Sequence, residues 1–231
     1  MTAMELDSTQ QTAVDSCVNV MNRVAAVTGS AGTGKTTILQ TVYRQLADRY
    51  GEHDVVLCAP TGKAAKRITE ATGIEAMTIH RLLEYPMPGE IDETTGKALS
   101  SSDPKRCRRR PLDQHYILCD EYAMVNVEVH RNLLDAIPHG GCIRMFGDAN
   151  QLQPIEQNKR LAKEDSSFLK MLDKHPSTRL TTIHRQAEDS NIIAAGAKFV
   201  VGNMPTRSED FNLKITSKPV DAVLDFVTDQ L

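Results

Sequence analysis

The stretch Val24-Ala25-Ala26-Val27-Thr28-Gly29-Ser30-Ala31-Gly32-Thr33-Gly34-Lys35-Thr36-Thr37 joins a short apolar run to a glycine-rich loop. The run is too short for a typical helix and reads as a buried parallel strand. The loop fits GxxxxGK with Ser or Thr in the next place, position by position, the pattern of a phosphate-binding loop. Gly29, Gly32 and Gly34 free the backbone to turn its N–H groups inward, with Ser30, Ala31 and Thr33 between them, and a helix starting near Thr36 adds its N-terminal dipole. Lys35 is placed to reach the β- and γ-phosphates, the Thr36 hydroxyl to sit on Mg²⁺, and Thr37 to close the motif. The expected ligand is a nucleoside triphosphate.

Working outward, residues 6–14 open with helix-capping types, and Val14, Cys17, Val18 and Met21 come next at helical spacing. Gln10 or Gln11, on the first turn, offers a two-faced amide suited to an adenine edge; taken by itself such an amide reads more readily as solvated surface. After the loop, Ile38, Leu39, Val42 and Leu46 predict an amphipathic helix to about Arg49, and residues 55–59 a second buried strand. That strand ends in Pro60-Thr61-Gly62-Lys63, before a helix stopped by Gly73 and a short one over 78–83. Thr61, Lys63, Thr78 and His80 are small polar or cationic groups at element ends, either contacts for a nucleic-acid backbone or caps and solvated side chains.

Residues 84–113 break the pattern. An acidic half with Glu90, Asp92 and Glu93 meets a Thr94-Thr95-Gly96 turn and a basic cluster of Lys105, Arg106, Arg108, Arg109 and Arg110. They predict a small inserted hairpin or loop whose arginines either meet phosphates or form a solvated face.

Tyr116-Ile117-Leu118-Cys119 predicts a third strand ending in Asp120-Glu121, a pair suited to a magnesium ligand followed by a base for the attacking water. A helix over 127–137 leads to a fourth strand, 142–146, which gives out into Gly147-Asp148-Ala149-Asn150-Gln151. A fifth, 178–183, gives out into His184-Arg185-Gln186. Beyond it, helices over 189–201 and 221–230 and a strand near 212–215 are expected. All these polar segments fall just past the carboxyl end of a predicted strand, the edge where open α/β sheets bind ligands.

The 231 residues carry a formal net charge of −3 and 40% apolar side chains, enough for a core and without an overall nucleic-acid footprint. The longest apolar runs span about five residues and no basic-then-apolar leader opens the chain, so neither a membrane span nor a secretory signal is expected and the cytoplasm is the expected location. Five cysteines without CxxC spacing are expected to be buried and reduced.

Taken together, these motifs resemble the superfamily 1 DNA helicases of the RecD and Dda type, from about Leu6 to Gly202. The resemblance implies an α/β, RecA-like P-loop NTPase domain with a central, mainly parallel sheet (residues 1–85 and 114–231) and an inserted 1B pin (86–113). It implies ATP and Mg²⁺, with Gln10 as adenine reader, Thr36 and Asp120 on the metal, and Lys35, Glu121, Gln151 and Arg185 in catalysis. It implies single-stranded DNA, or duplex with a 5′ tail, on Pro60, Thr61, Lys63, Thr78 and His80, and replication or recombination proteins as candidate partners. The implied activity is 5′-to-3′ unwinding; a nucleotide-dependent DNA- or protein-binding module is the rival reading. The sequence departs from the family at Tyr122-Ala123-Met124 and at His184. It also lacks the motifs of a second RecA-like domain, so the chain by itself is expected to unwind poorly or not at all.

Overall fold

A computed structural model describes residues 6–87, 89–91, 103–151 and 166–182. Its frame is a six-stranded sheet, with β1 Val24–Gly29, β2 Val55–Ala59, β3 Ala76–Thr78, β4 Tyr116–Cys119, β5 Cys142–Gly147 and β6 Ser177–Leu180. The order is β3-β2-β4-β5-β1-β6, and every pairing is parallel. Parallel strands need crossovers, which cover both faces with helices, so their side chains are apolar on both sides. Alternation along each strand then sorts the core. Ala25, Val27, Leu57 and Phe146 pack on one face with α1 (Ser8–Val18), α2 (Lys35–Tyr50) and α3 (Gly62–Thr72). Ala26, Cys58, Ile117 and Met145 pack on the other with α4 (Ile79–Leu82), α5 (Val127–Ala136) and α6 (Ser167–Lys174).

The five strands expected before residue 184 are present, and among the described residues one further strand and one further α-helix are additional. β3 has only three residues, which is too short to show a period, and α6 lies in a stretch for which the sequence suggested no element. The strand expected over 178–183 runs instead over Ser177–Leu180, where backbone pairing with β1 ends at Gly29–Leu180. The helices and strand expected beyond residue 188 lie outside the described residues.

Arg144, in the middle of β5, is 1% exposed. The sheet's alternation points it at α1, where its guanidinium donates to the carbonyls of Cys17, Asn19 at 3.2 Å and Asn22 at 2.7 Å, and to Ile143 at 3.1 Å. A cation at a helix C-terminus satisfies carbonyls that have no partner within the helix. Arg144→Met keeps the length and removes the donors, leaving buried acceptors unmet at about 1–3 kcal/mol each. A loss of about 3 kcal/mol is expected, read as a fall in thermal midpoint of about 6–12 °C for a chain of this size. An unchanged midpoint would show that water replaces the guanidinium.

Cys17, Cys58, Cys119 and Cys142 are buried free thiols, as expected, but Cys107 is only half-buried. It sits in the insert, in an isolated antiparallel bridge with Arg110, away from both core faces. The insert's root is clamped. Arg106 N–H donates to Leu83 O at 3.1 Å, and the Arg106 side chain meets Glu84 at 2.7 Å and Asp113 at 2.7 Å. Arg110 reaches Glu84 at 3.1 Å and Lys105 pairs with Glu90. Lys105, Arg106 and Arg110 of the basic cluster are thus matched by carboxylates of the insert and its borders, while Arg108, Arg109 and Arg110 are exposed. Among the described residues, no helix is long and apolar enough to cross a membrane.

Candidate nucleotide and DNA site

The sheet brings the ends of β1, β5 and β4 side by side, because β5 lies between the other two. Gly32 (φ 85°) and Gly34 (φ 84°) take left-handed conformations, and Gly34 is the N-cap of α2 without a side-chain cap. The helix therefore presents bare N–H groups, the arrangement that binds phosphate. Lys35 Nζ donates to Gly29 O at 2.6 Å and Ser30 O at 3.0 Å, which holds the ammonium over the loop.

Gln10 is 4% exposed, which settles against the solvated-surface reading. Asp7 and Gln10 form a capping box: Gln10 N–H donates to Asp7 Oδ1 at 2.7 Å, and Asp7 N–H to Gln10 Oε1 at 3.1 Å. Gln10 Nε2 donates to Thr33 O at 3.2 Å, so the amide leans on the loop with one N–H left over. A Cβ on Gly34 would collide with that amide. The D-x-x-Q spacing of the capping box was visible in the sequence.

Asp120 follows β4 and is 8% exposed. Burial raises its carboxyl to about 6 even though the Glu121 N–H at 2.8 Å and the charge of Lys35 act to lower it. Glu121 is in the left-handed region, φ 51° and ψ 36°, and its Oε2 is buried without a hydrogen-bond partner. A non-glycine residue held there costs about 1–2 kcal/mol, so the surrounding fold imposes the turn. Among the described residues no cluster of three or more His, Cys, Asp or Glu forms a protein-only metal cage. One buried carboxylate within reach of the Lys35 charge suits Mg²⁺, which is held by one or two carboxylates together with substrate phosphates.

Tyr122 is buried, and its hydroxyl lies 2.9 Å from His130 Nδ1 on α5. Burial lowers His130 to about 4, with the charges of Arg131 and Lys170 adding to the effect. The neutral imidazole and the phenol thus fasten the short turn Tyr122–Met124 behind Asp120-Glu121.

Two further residues border the loop without having been singled out in the sequence. Thr28 Oγ1 accepts the Ala149 N–H at 3.1 Å, tying β1 to the turn after β5, and Arg179 lines a cavity of about 200 Å³ with Ser30, Thr33, Asp148 and Asn150. Their signal was only their place at strand ends. Gln151 is exposed and its N–H donates to Asp148 O at 3.2 Å. Arg185 lies outside the described residues.

The ends of β2 and β3 are neighbours, with Ala59 paired to Thr78. Pro60-Thr61 and Thr78-Ile79-His80 therefore leave the sheet together. Thr61 Oγ1 accepts the Ala64 N–H at 3.2 Å and Thr78 Oγ1 the Arg81 N–H at 3.1 Å, so both threonines are helix caps. Their own hydroxyl protons remain to donate. Lys63 and His80 are exposed.

The AAA domain family matches residues 10–157. The chain is 33% identical over 184 residues to the ATP-dependent RecD2 DNA helicase of Deinococcus radiodurans, covering 80% of this chain and 22% of that protein. It is 30% identical over 136 residues to the ATP-dependent DNA helicase Dda of phage T4, covering 59% and 29%. The chain thus spans less than a third of either relative. The fold is similar to that of a Bacteroides Pif1 helicase solved with ADP-AlF3 and ssDNA, with TM-score 0.61 and 22% identity over 99% of this chain and 57% of that one. The chain belongs to the AAA domain family, as a RecA-like motor domain of the superfamily 1 RecD and Dda type.

Proposed function

We propose that the chain binds ATP with Mg²⁺ and single-stranded DNA, and is the N-terminal motor half of a 5′-to-3′ DNA helicase. The observation that carries this is buried Asp120 followed by half-buried Glu121, set at the same sheet edge as the Lys35 loop with one Glu121 oxygen buried and unmet. Bound Mg²⁺ supplies charge to the phosphates. Lys35 binds the β- and γ-phosphoryl oxygens, Thr36 and Asp120 supply oxygen donors, and Glu121 orients the attacking water. Gln10 reads the adenine edge with its spare N–H. Gln151, exposed beside Asp148, senses the γ-phosphate, and Arg185 adds positive charge to it. The polarity and the role of residues 86–113 as a 1B pin rest on the resemblance to RecD and Dda. Cytoplasmic location and replication or recombination partners belong to the same reading.

DNA runs over Pro60, Thr61, Lys63, Thr78 and His80, which leave adjacent strands at one edge. ATP turnover should rise when single-stranded DNA is added; nucleotide binding without such stimulation would favour the binding-module reading instead. Lys63→Ala should weaken single-strand binding and reduce the slope of log affinity against log salt by about 0.7, the contribution of one phosphate contact. An unchanged slope would remove Lys63 from the interface.

A further inference from the structure

Glu84 is one of two described non-glycine residues at positive φ, here 53°. It ends the short helix α4 and turns the chain back, so that Tyr85 N–H donates to His80 O at 3.1 Å. The turn is held from outside by Arg106 and Arg110 on the Glu84 carboxylate. Tyr85 then lies over His80, ring centroids 4.7 Å apart and planes tilted by 43°. The far end of Tyr85 is fixed as well, because Asn132 Nδ2 of α5 donates to its hydroxyl at 2.9 Å. Three separate devices therefore hold one phenol against one exposed imidazole, at the end of the strand whose neighbour leads to Lys63.

Such an arrangement exceeds what a backbone contact requires. A histidine that only meets phosphate needs a ring nitrogen in reach, whereas a ring backed by a second fixed ring has its orientation set and one face open. We propose that His80 and Tyr85 form a stacking platform for a nucleobase, with His80 touching the base and Tyr85 acting as its positioning residue. This rests on the single-strand reading above and refines it: His80 recognises a base face, not a phosphate. Stacking tolerates any base, since every base has a π-face, so the platform would hold the strand in place without reading sequence.

The test compares two oligonucleotides of equal length and charge, one all-thymidine and one carrying abasic residues through its centre, bound by the 231-residue chain. Wild type should prefer the intact strand by about 5- to 150-fold, the scale of one stacked base. Tyr85→Ala should bring that preference to within about twofold while leaving the abasic affinity and the salt slope unchanged. Tyr85→Phe, which keeps the ring, should retain most of the preference, and nucleotide binding by both variants shows that they are folded. A Tyr85→Ala chain that keeps the full preference, or that loses affinity equally for both strands, overturns the platform while leaving DNA binding intact. A wild type that binds neither strand overturns the single-strand reading, and the platform with it.

Discussion

Glu121→Gln should bind ATP with Mg²⁺ as tightly as wild type and lose about 10²- to 10⁴-fold of its turnover, the usual contribution of a positioned base. The replacement is close to isosteric, so the left-handed turn at φ 51° and the neighbouring Asp120 should stay in place. What changes is the chemistry of the oxygen that the fold leaves buried and unpartnered. A buried acceptor without a donor is costly, and a water molecule held for reaction would satisfy it. The amide cannot take a proton from that water. Affinity by calorimetry and phosphate release in a single turnover separate the two effects. Turnover within a few-fold of wild type would remove Glu121 from the water-activating role.

Lys35→Ala should act one step earlier and abolish tight nucleotide binding. In the structure the ammonium bonds the carbonyls of Gly29 and Ser30, both within the loop, at distances of 2.6 and 3.0 Å. Phosphoryl oxygens entering the loop would offer the same donor charged partners. Charge-assisted bonds are worth about 1.5–3 kcal/mol each, so two of them lost correspond to at least about 10²-fold in affinity. The thermal midpoint without nucleotide should change little, because the loop carbonyls can turn to water. Equal affinities for wild type and variant in calorimetry would sink the phosphate-loop assignment.

The parts that could be read from the sequence are those whose chemistry is local. A phosphate loop needs its glycines, lysine and threonine in consecutive order, and the buried strands of a parallel sheet announce themselves as apolar runs ending in polar residues. The convergence of Lys35, Asp120 and Gln151 came from that rule. What escaped depends on neighbours far away in sequence. Arg144 reads as an odd charge in a strand until α1 is packed on it, and β3 exists only because β2 offers it a free edge. Gln10 looks like surface until the loop closes over its amide. The insert's cations could not be divided between ligands and structural ties, because Glu84, Glu90 and Asp113 come into reach of Arg106, Arg110 and Lys105 only when the two borders meet.

That meeting of borders has a consequence for how the chain can change over generations. Leu83, Glu84 and Arg106 are joined at the root, and Leu112 N–H donates to Ala136 O at 2.8 Å, so both ends of the insert are fastened to the domain independently of what lies between them. Extending a loop whose ends are already fixed adds only about 0.6 kcal/mol per doubling of its length. Selection can therefore lengthen, shorten or replace the intervening segment while the ATP edge of the sheet stays as it is. The root works as a socket, and a motor domain with a socket can be refitted for new substrates without being rebuilt.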